Sequence, residues 1–297
     1  MPPRPRPPRR TPRSVVYRRR LVALGVLIAG FSIAWAIVSS FGGSGKGKQA
    51  TTAPLAPRPF KVVFPEGFTR AQMAQRASAV AQIAKRERGR APALAGRSYL
   101  AVTRLPRREP GFGRKRYPLE GFLFPATYDF TIHSTAAQLV AQQLDAFRRN
   151  WAKVNLRYAT RKNLTPYDVL TIASMIERET AAPEERQLVA AVIYNRLHKR
   201  MALQIDATLR YGLKIPPTQS ITESELSSQS PYNTRHRLGL PPTPIANPGL
   251  ASMQAAAHPA NVNYLYYVRK PDKKHHFFTA SIVAFQHYEA THGYGTH

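Results

Sequence analysis

Leu170-Thr-Ile-Ala-Ser-Met-Ile-Glu177-Arg-Glu179-Thr180 is an almost entirely apolar stretch that ends in two glutamates. Apolar runs of this kind pack inside proteins, and a carboxylate at the end of one is costly to bury unless it is paired or protonated. A protonated carboxyl group in an apolar setting can donate a proton to a leaving oxygen at neutral pH. The stretch therefore predicts a buried segment and raises the hypothesis of acid–base chemistry.

The residues on either side predict two helices with a tight junction. Thr165-Pro166-Tyr167-Asp168 places a hydroxyl at an N-cap, a proline at the first helical position and an acid at the third, so a helix is expected from 165 to about 180. A second helix is expected over 183–198. Its inward positions recur every four residues, at Val189, Ile193 and Leu197.

Helical periodicity does not decide which glutamate is the functional one. Glu177 and Glu179 are separated by about 200° around a helix, so they face opposite ways. The alternative to a functional role also remains open at this point. In that case one or both glutamates are solvated at the helix end, or they pair with Arg178 or Arg186.

The rest of the chain after residue 59 mixes short strands and helices. Strands are expected at 60–64, 264–268 and 276–278, with further helices at 71–85, 94–103, 134–150, 251–257 and 281–290. Pro-, Gly- and Asn-rich loops separate them after residue 211. Since the strands do not alternate regularly with helices, the predicted class is α+β.

The N-terminal part predicts a membrane anchor. Residues 1–20 carry eight arginines and no acid, 21–41 carry no charge, and 42–58 read as a flexible linker. Twenty-one helical residues span roughly 31 Å, the thickness of a bilayer core. A cleaved signal peptide is the alternative, and we favour the uncleaved anchor because the apolar run is long.

Charge and topology together indicate the compartment and the partners. The chain has a net charge of +28 and no cysteine, which excludes disulfides and thiol chemistry. Arginines before the anchor keep the N-terminus in the cytoplasm, so the folded part is expected outside the cytoplasmic membrane, away from nucleic acid. Phospholipid headgroups and anionic wall polymers are then the expected acidic partners.

The histidines do not form a metal-binding motif. His258, His275 and His276 lack a ligand spacing such as His-Glu-x-x-His, so they are expected to be structural, with no metal and no other cofactor.

Eight segments in register resemble the MltG (YceG-like) family of endolytic murein transglycosylases, and they cover about residues 60–290. They lie at 119–128, 173–180, 192–197, 203–208, 230–234, 239–249, 264–268 and 276–278. The resemblance implies a small LysM-like module at 59–105 and a larger mixed α+β catalytic domain at 116–297. It also implies that the first glutamate of the Glu-x-Glu pair, Glu177, is catalytic.

The same resemblance implies the reaction and the partners. The expected substrate is peptidoglycan, cut at the MurNAc–GlcNAc β-1,4 bond within nascent strands to leave 1,6-anhydro-MurNAc ends, and peptidoglycan synthases are possible partners. The expected substrate-binding residues are Gln204, Asp206, Tyr232, Asn233, Thr234 and Asn247. The alternatives are a muramidase-type hydrolase acting on the same bond and a non-enzymatic, membrane-tethered peptidoglycan-binding scaffold.

Overall fold

A computed structural model describes residues 59–90 and 92–293 of the chain. The expected basic tail, the membrane anchor at 21–41 and the linker lie outside the described residues. Within the described part, no helix is both long and apolar enough to cross a membrane.

The described residues form a mixed α+β fold, as expected. The strands pair into two antiparallel two-stranded sheets, β1 with β2 and β3 with β4. The strands are β1 (Phe60–Val63), β2 (Thr127–Phe130), β3 (Tyr266–Arg269) and β4 (His276–Thr279). The helices are α1 (Arg70–Arg88), α2 (Gly96–Arg104), α3 (Ala136–Trp151), α4 (Arg157–Arg161), α5 (Pro166–Glu179), α6 (Arg186–His198), α7 (Asp206–Leu213), α8 (Glu223–Leu226), α9 (Leu250–Ala257) and α10 (Ile282–Thr291).

Helix α5 begins where its capping sequence predicts. The Thr165 hydroxyl accepts a hydrogen bond from the Asp168 amide at 3.2 Å, and the Asp168 carboxylate accepts one from the Thr165 amide at 2.8 Å. This reciprocal pair satisfies amide groups that the first turn of a helix leaves free. Every residue from 169 to 176 is buried, so the apolar stretch forms the central helix of the core.

The segment at 59–105 packs directly against the larger region. Strand β1 pairs with β2 from the larger region, with Phe60 opposite Phe130, and the two rings stack 5.5 Å apart. Helix α2 packs on α3, and the buried Tyr99 hydroxyl donates to the Gln143 side chain at 2.6 Å. The core is therefore continuous between the two expected domains.

Asn247 joins three segments that are far apart in the sequence. Its Oδ1 accepts hydrogen bonds from the amides of Gly121 and Leu123, both at 2.9 Å. Its Nδ2 donates to the Phe68 carbonyl at 2.9 Å and to Glu120 Oε1 at 2.8 Å. Since Asn247 is 0% exposed and its amide is fully used, it fixes the positions of these backbones relative to one another.

Glu120 is the buried carboxyl group at this junction. Its Oε1 also accepts from the Arg70 amide at 2.9 Å, and its Oε2 accepts from the Tyr211 hydroxyl at 3.0 Å. Burial raises the pKa of the Glu120 carboxyl from 4.5 to about 7, although these hydrogen bonds oppose the shift.

The loop before α9 is held against α5 and against the turn after β1. The Ser174 hydroxyl accepts from the Ile245 amide at 3.0 Å, while the Gly67 amide donates to the Asn247 carbonyl, also at 3.0 Å. These contacts bring the C-terminal end of α5, the turn at 65–68 and the N-terminus of α9 together.

The shared core predicts cooperative unfolding, which a matched pair of variants on β1 can test. Val62 is 0% exposed and its neighbour Val63 is 49% exposed. We expect Val62→Ala to lower the free energy of unfolding by about 2 kcal/mol and Val63→Ala to change it little. Urea unfolding followed by the fluorescence of Trp151 in α3 should report the Val62→Ala loss. A Trp151 transition that Val62→Ala leaves unchanged would show that β1 belongs to a separate unit.

The raised pKa of Glu120 predicts that the stability of the fold decreases as the pH rises. Between pH 4.5 and about 7 the native chain retains a proton that the unfolded chain has released, so this group lowers stability as pH rises. Glu120→Gln removes the ionisation, so its stability relative to the unchanged chain should rise by about 3 kcal/mol between pH 4.5 and 8. Glu223→Gln, at an exposed position, is the control. If denaturant titrations gave a difference in unfolding free energy between Glu120→Gln and the unchanged chain that did not vary with pH, this account would be contradicted.

Candidate active site

Glu177 lies in the last turn of α5, where its carboxylate contacts the start of α9. Its Oε2 accepts a hydrogen bond at 3.0 Å from the amide of Gly249, the N-cap residue of α9. An amide at a helix N-terminus stabilises negative charge. The side chain is half-buried, so it remains accessible to solvent.

Apolar residues support this glutamate from the core side. Ala173 and Ile176, in the preceding turn of α5, are both 0% exposed. The carboxyl group therefore stands at the boundary between the core and solvent, with one face in contact with protein and the other accessible.

A second carboxyl group, that of Glu66, contacts the same glycine. A side chain added at Gly249 would overlap Glu66 Oε1, so the Glu66 carboxyl lies directly on the Gly249 backbone. Desolvation and then repulsion from Glu177 raise the pKa of Glu66, while the Arg186 guanidinium opposes the rise. Glu66 is otherwise exposed, in the turn that follows β1.

Glu179 faces the other side of α5, as the helical spacing predicts. It accepts a hydrogen bond from the Tyr267 hydroxyl on β3 at 3.2 Å and another from the Ala207 amide at the start of α7. Burial, followed by repulsion from Asp206, raises the pKa of Glu179. Glu179 therefore connects α5 to β3 and α7.

Three of the expected substrate-binding residues remain accessible. Gln204 and Asp206 are exposed, and Asp206 pairs with Arg235 at 2.7 Å. Tyr232 is half-buried, and its hydroxyl forms a hydrogen bond with the Thr243 hydroxyl at 2.8 Å. These side chains can still contact a ligand.

The other three lie in the core, so we reassign them to structural roles. Asn247 joins the three segments described above. The Asn233 amide donates to the carbonyls of Leu226 and Ser228, and the Thr234 hydroxyl accepts from the Ile205 amide. Their polar atoms are used within the protein, which leaves none of the three exposed to a glycan.

Arg196 is also structural. It is 7% exposed, and its guanidinium donates to the Leu265 carbonyl at 2.6 Å and to the Leu203 carbonyl at 2.8 Å. Arg178, by contrast, is exposed, and its guanidinium donates to the Gly67 carbonyl at 3.3 Å. A cation is therefore present beside the two carboxyl groups at the α9 N-terminus.

Sequence reasoning did not identify Glu66, Glu120 or Gly249. Glu66 stands in a Pro-Glu-Gly turn, a common surface sequence, and Glu120 precedes a glycine at the start of a loop. Glu66 contacts Gly249 across 183 positions, Glu120 contacts Asn247 across 127 and Gly249 contacts Glu177 across 72. Local patterns do not encode contacts over such separations.

Known proteins resemble this chain over most of its described part. The YceG-like family model matches residues 45–291. Proteins named endolytic murein transglycosylase are similar: one from Bacillus subtilis is 36% identical over 155 residues, covering 52% of this chain and 43% of that protein. One from Streptococcus pneumoniae is 34% identical over 239 residues, covering 74% of this chain and 42% of that protein. The chain thus matches about two-fifths of the length of these relatives.

A solved structure supports the same relationship. The crystal structure of a YceG-like protein from Listeria monocytogenes superposes with a TM-score of 0.64 at 31% identity, covering 79% of this chain and 76% of that one. Because the family model spans most of the sequence and the fold agrees, this chain belongs to the YceG-like family.

Proposed function

We propose that this chain is a peptidoglycan lytic transglycosylase in which Glu177 is the acid and base. The observation that carries the proposal is the position of Glu177, half-buried at the end of an apolar helix with one carboxylate oxygen on the Gly249 amide. Membership of the YceG-like family and the names of the relatives support the same reaction class.

The chemistry needs two proton transfers through Glu177, one outward and one inward. Glu177 in its protonated form gives the proton to the glycosidic oxygen, and the bond from that oxygen to C1 of MurNAc breaks. The C6 hydroxyl of the same sugar then attacks C1, and the Glu177 carboxylate takes the hydroxyl proton. The products are a strand with a free GlcNAc hydroxyl and a strand ending in 1,6-anhydro-MurNAc, with no water consumed.

The surroundings of Glu177 suit both halves of this cycle. Intramolecular attack by the C6 hydroxyl gains effective molarity and needs no positioned water. When Glu177 has lost its proton, the Gly249 amide and the N-terminus of α9 stabilise the carboxylate. Because Glu177 takes the C6 hydroxyl proton at the end of each cycle, it is protonated again for the next substrate.

Substrate contacts are proposed for the accessible polar residues. Gln204, Asp206 and Tyr232 carry donors and acceptors suited to sugar hydroxyls and peptide amides. The Arg178 guanidinium beside Gly67 suits a carboxylate of the glycan or its stem peptide.

The proposed location rests on the charge and hydropathy pattern of the sequence. We propose that 21–41 anchor the chain in the cytoplasmic membrane, with the described residues on the outer face, close to nascent strands and to the synthases that make them. We also propose that residues 59–105, which have the strand–helix–helix order of a LysM-like module, bind glycan.

Hydrolysis of the same bond is the second candidate. It is favoured by Glu66, because hydrolytic glycosidases use two carboxyl groups and Glu66 lies next to Glu177. A wall-binding scaffold without catalysis is the third, and it predicts glycan binding with no new chain ends. Product analysis separates all three.

Glu177→Gln tests the assignment of the acid. The variant keeps the shape and an acceptor for the Gly249 amide but has no acidic proton to transfer. We expect formation of anhydro ends on purified, uncross-linked glycan strands to fall by at least about a thousandfold. Mass spectrometry detects the product directly, because an anhydro end is one water lighter than a hydrolysed end.

Glu179→Gln is the matched control, two residues along the same helix. Gln keeps one carbonyl oxygen as an acceptor for the Tyr267 hydroxyl or the Ala207 amide, so we expect activity within about tenfold of the unchanged chain. Loss of activity in Glu179→Gln together with retained activity in Glu177→Gln would reverse the assignment of the acid. If the unchanged chain bound glycan but produced no new strand ends, the scaffold hypothesis would be favoured.

A further inference from the structure

The segment that follows α2, residues 104–117, is a fixed loop, and we call it the basic loop. Arg107 and Tyr117 close it with two backbone hydrogen bonds, at 2.9 and 2.8 Å. Between them, Phe112 is 4% exposed, and its ring centroid lies 4.9 Å from that of Phe122 and 5.0 Å from that of Trp151. The basic loop is therefore attached to the core both at its base and in its middle.

The charges of the basic loop are separated by sign. Its one acid, Glu109, is buried and pairs with Arg148 of α3 at 3.0 Å. Its cations are exposed, and within the described residues none of them pairs with a carboxylate; they are Arg104, Arg107, Arg108, Arg114, Lys115 and Arg116. Like charges this close in the chain repel one another, and an anionic surface reduces that repulsion.

Exposed leucines lie among these cations. Leu105, next to Arg104, is 67% exposed, and Leu100, one helical turn before Arg104 on the outer side of α2, is 40% exposed. A polyanion in water needs only the cations. A leucine between arginines suits the surface of a bilayer, where cations meet the headgroup phosphates and an apolar side chain reaches the acyl boundary.

The length of the chain before the described part also favours a bilayer. The proposed anchor ends at residue 41 and the described part begins at residue 59, so the intervening chain can separate the two by at most about 65 Å. A domain attached in this way meets the headgroups at a high effective concentration, so that weak contacts with them are populated.

We propose that the basic loop, together with the outer side of α2, docks on the surface of a bilayer that contains anionic phospholipid. This inference goes beyond the proposed activity and rests on the proposed membrane location. Arginines of the loop bind headgroup phosphates, and Leu105 enters the boundary between headgroups and acyl chains. Because the chain is then held both by its anchor and by the loop, the described part keeps a set orientation over the membrane.

A probe that reports contact with lipid tests the proposal with the full chain. The sequence has no cysteine, so Leu105→Cys gives a unique attachment point for a fluorophore. In vesicles of phosphatidylcholine and phosphatidylglycerol, we expect spin labels on the lipid to quench this probe. The quenching should be weaker in phosphatidylcholine alone and at high salt, because the attraction is electrostatic.

Val283→Cys is the matched control for the position of the probe. Val283 is 71% exposed, as Leu105 is, but no charged residue lies between 280 and 286. Its probe should be quenched weakly in both kinds of vesicle. Equal quenching of the two probes in the anionic vesicles would overturn the proposal, because it would show general proximity to lipid and no docking through the basic loop.

Removal of cations tests the electrostatic contribution in the Leu105→Cys chain. Each cation near an anionic surface strengthens binding roughly fivefold, so the loss of three should lower the ratio of docked to undocked chain by about a hundredfold. The three changes are Arg107→Gln, Arg108→Gln and Arg114→Gln. The matched control removes three exposed cations around the β3–β4 turn and should leave quenching unchanged; its changes are Arg269→Gln, Lys273→Gln and Lys274→Gln. Equal losses in the two variants would overturn the proposal, because they would show a response to net charge alone.

An anionic wall polymer is the other occupant that this chemistry could take. Soluble polyglycerol phosphate, added to phosphatidylcholine vesicles, serves as the probe for it. If the polymer changed the emission of the Leu105→Cys probe while anionic lipid gave no quenching, the proposal would be overturned. Retention of the chain in vesicles after an alkaline wash tests the anchor separately. Loss of the chain in that wash would refute the proposed location, while the quenching measured before the wash would still decide whether the loop docks.

Discussion

The buried side-chain amide of Asn247 is the interaction on which the site depends. It binds two amides at Gly121 and Leu123, the carbonyl of Phe68 and the carboxyl group of Glu120, so three distant segments meet at one residue. In a low-dielectric interior these bonds are strong, and losing one would leave a buried polar group unpaired. Two residues after Asn247, the Gly249 amide lies within hydrogen-bonding distance of the Glu177 carboxylate. The geometry of the proposed catalytic carboxyl group is therefore set by a residue that is fully buried.

Three glutamates near this junction differ in burial and in hydrogen-bond partners, and these differences indicate different roles. Glu120 is fully enclosed and surrounded by neutral donors, so it serves the fold and carries a pKa near 7. Glu177 stands half-buried with one oxygen on an amide, which suits a group that gives and takes a proton. Glu66 is the most exposed of the three, and desolvation followed by repulsion from Glu177 raises its pKa.

Local sequence predicts local structure well here. The Thr165 cap and the apolar run give the start and end of α5, and helical spacing separates Glu177 from Glu179 before any fold is known. The short helices α4, α7 and α8 were not predicted, because their polar, loop-like sequences lack a clear apolar period. The burial of Asn233, Thr234 and Asn247 could not be predicted either. Polar residues in Pro- and Gly-rich loops resemble surface residues, and only tertiary contacts show that backbone groups use all of their hydrogen-bonding atoms.

The central claim is that Glu177 directs the C6 hydroxyl of the substrate, and not water, to the broken bond. Cleavage in water enriched in ¹⁸O tests this most directly, because the oxygen that closes each new end is identified by its mass. Intramolecular attack predicts new MurNAc ends that carry no ¹⁸O. One ¹⁸O atom in each new end would show attack by water and would contradict the account, and the Glu66–Glu177 pair would then be the carboxyl pair of a hydrolase.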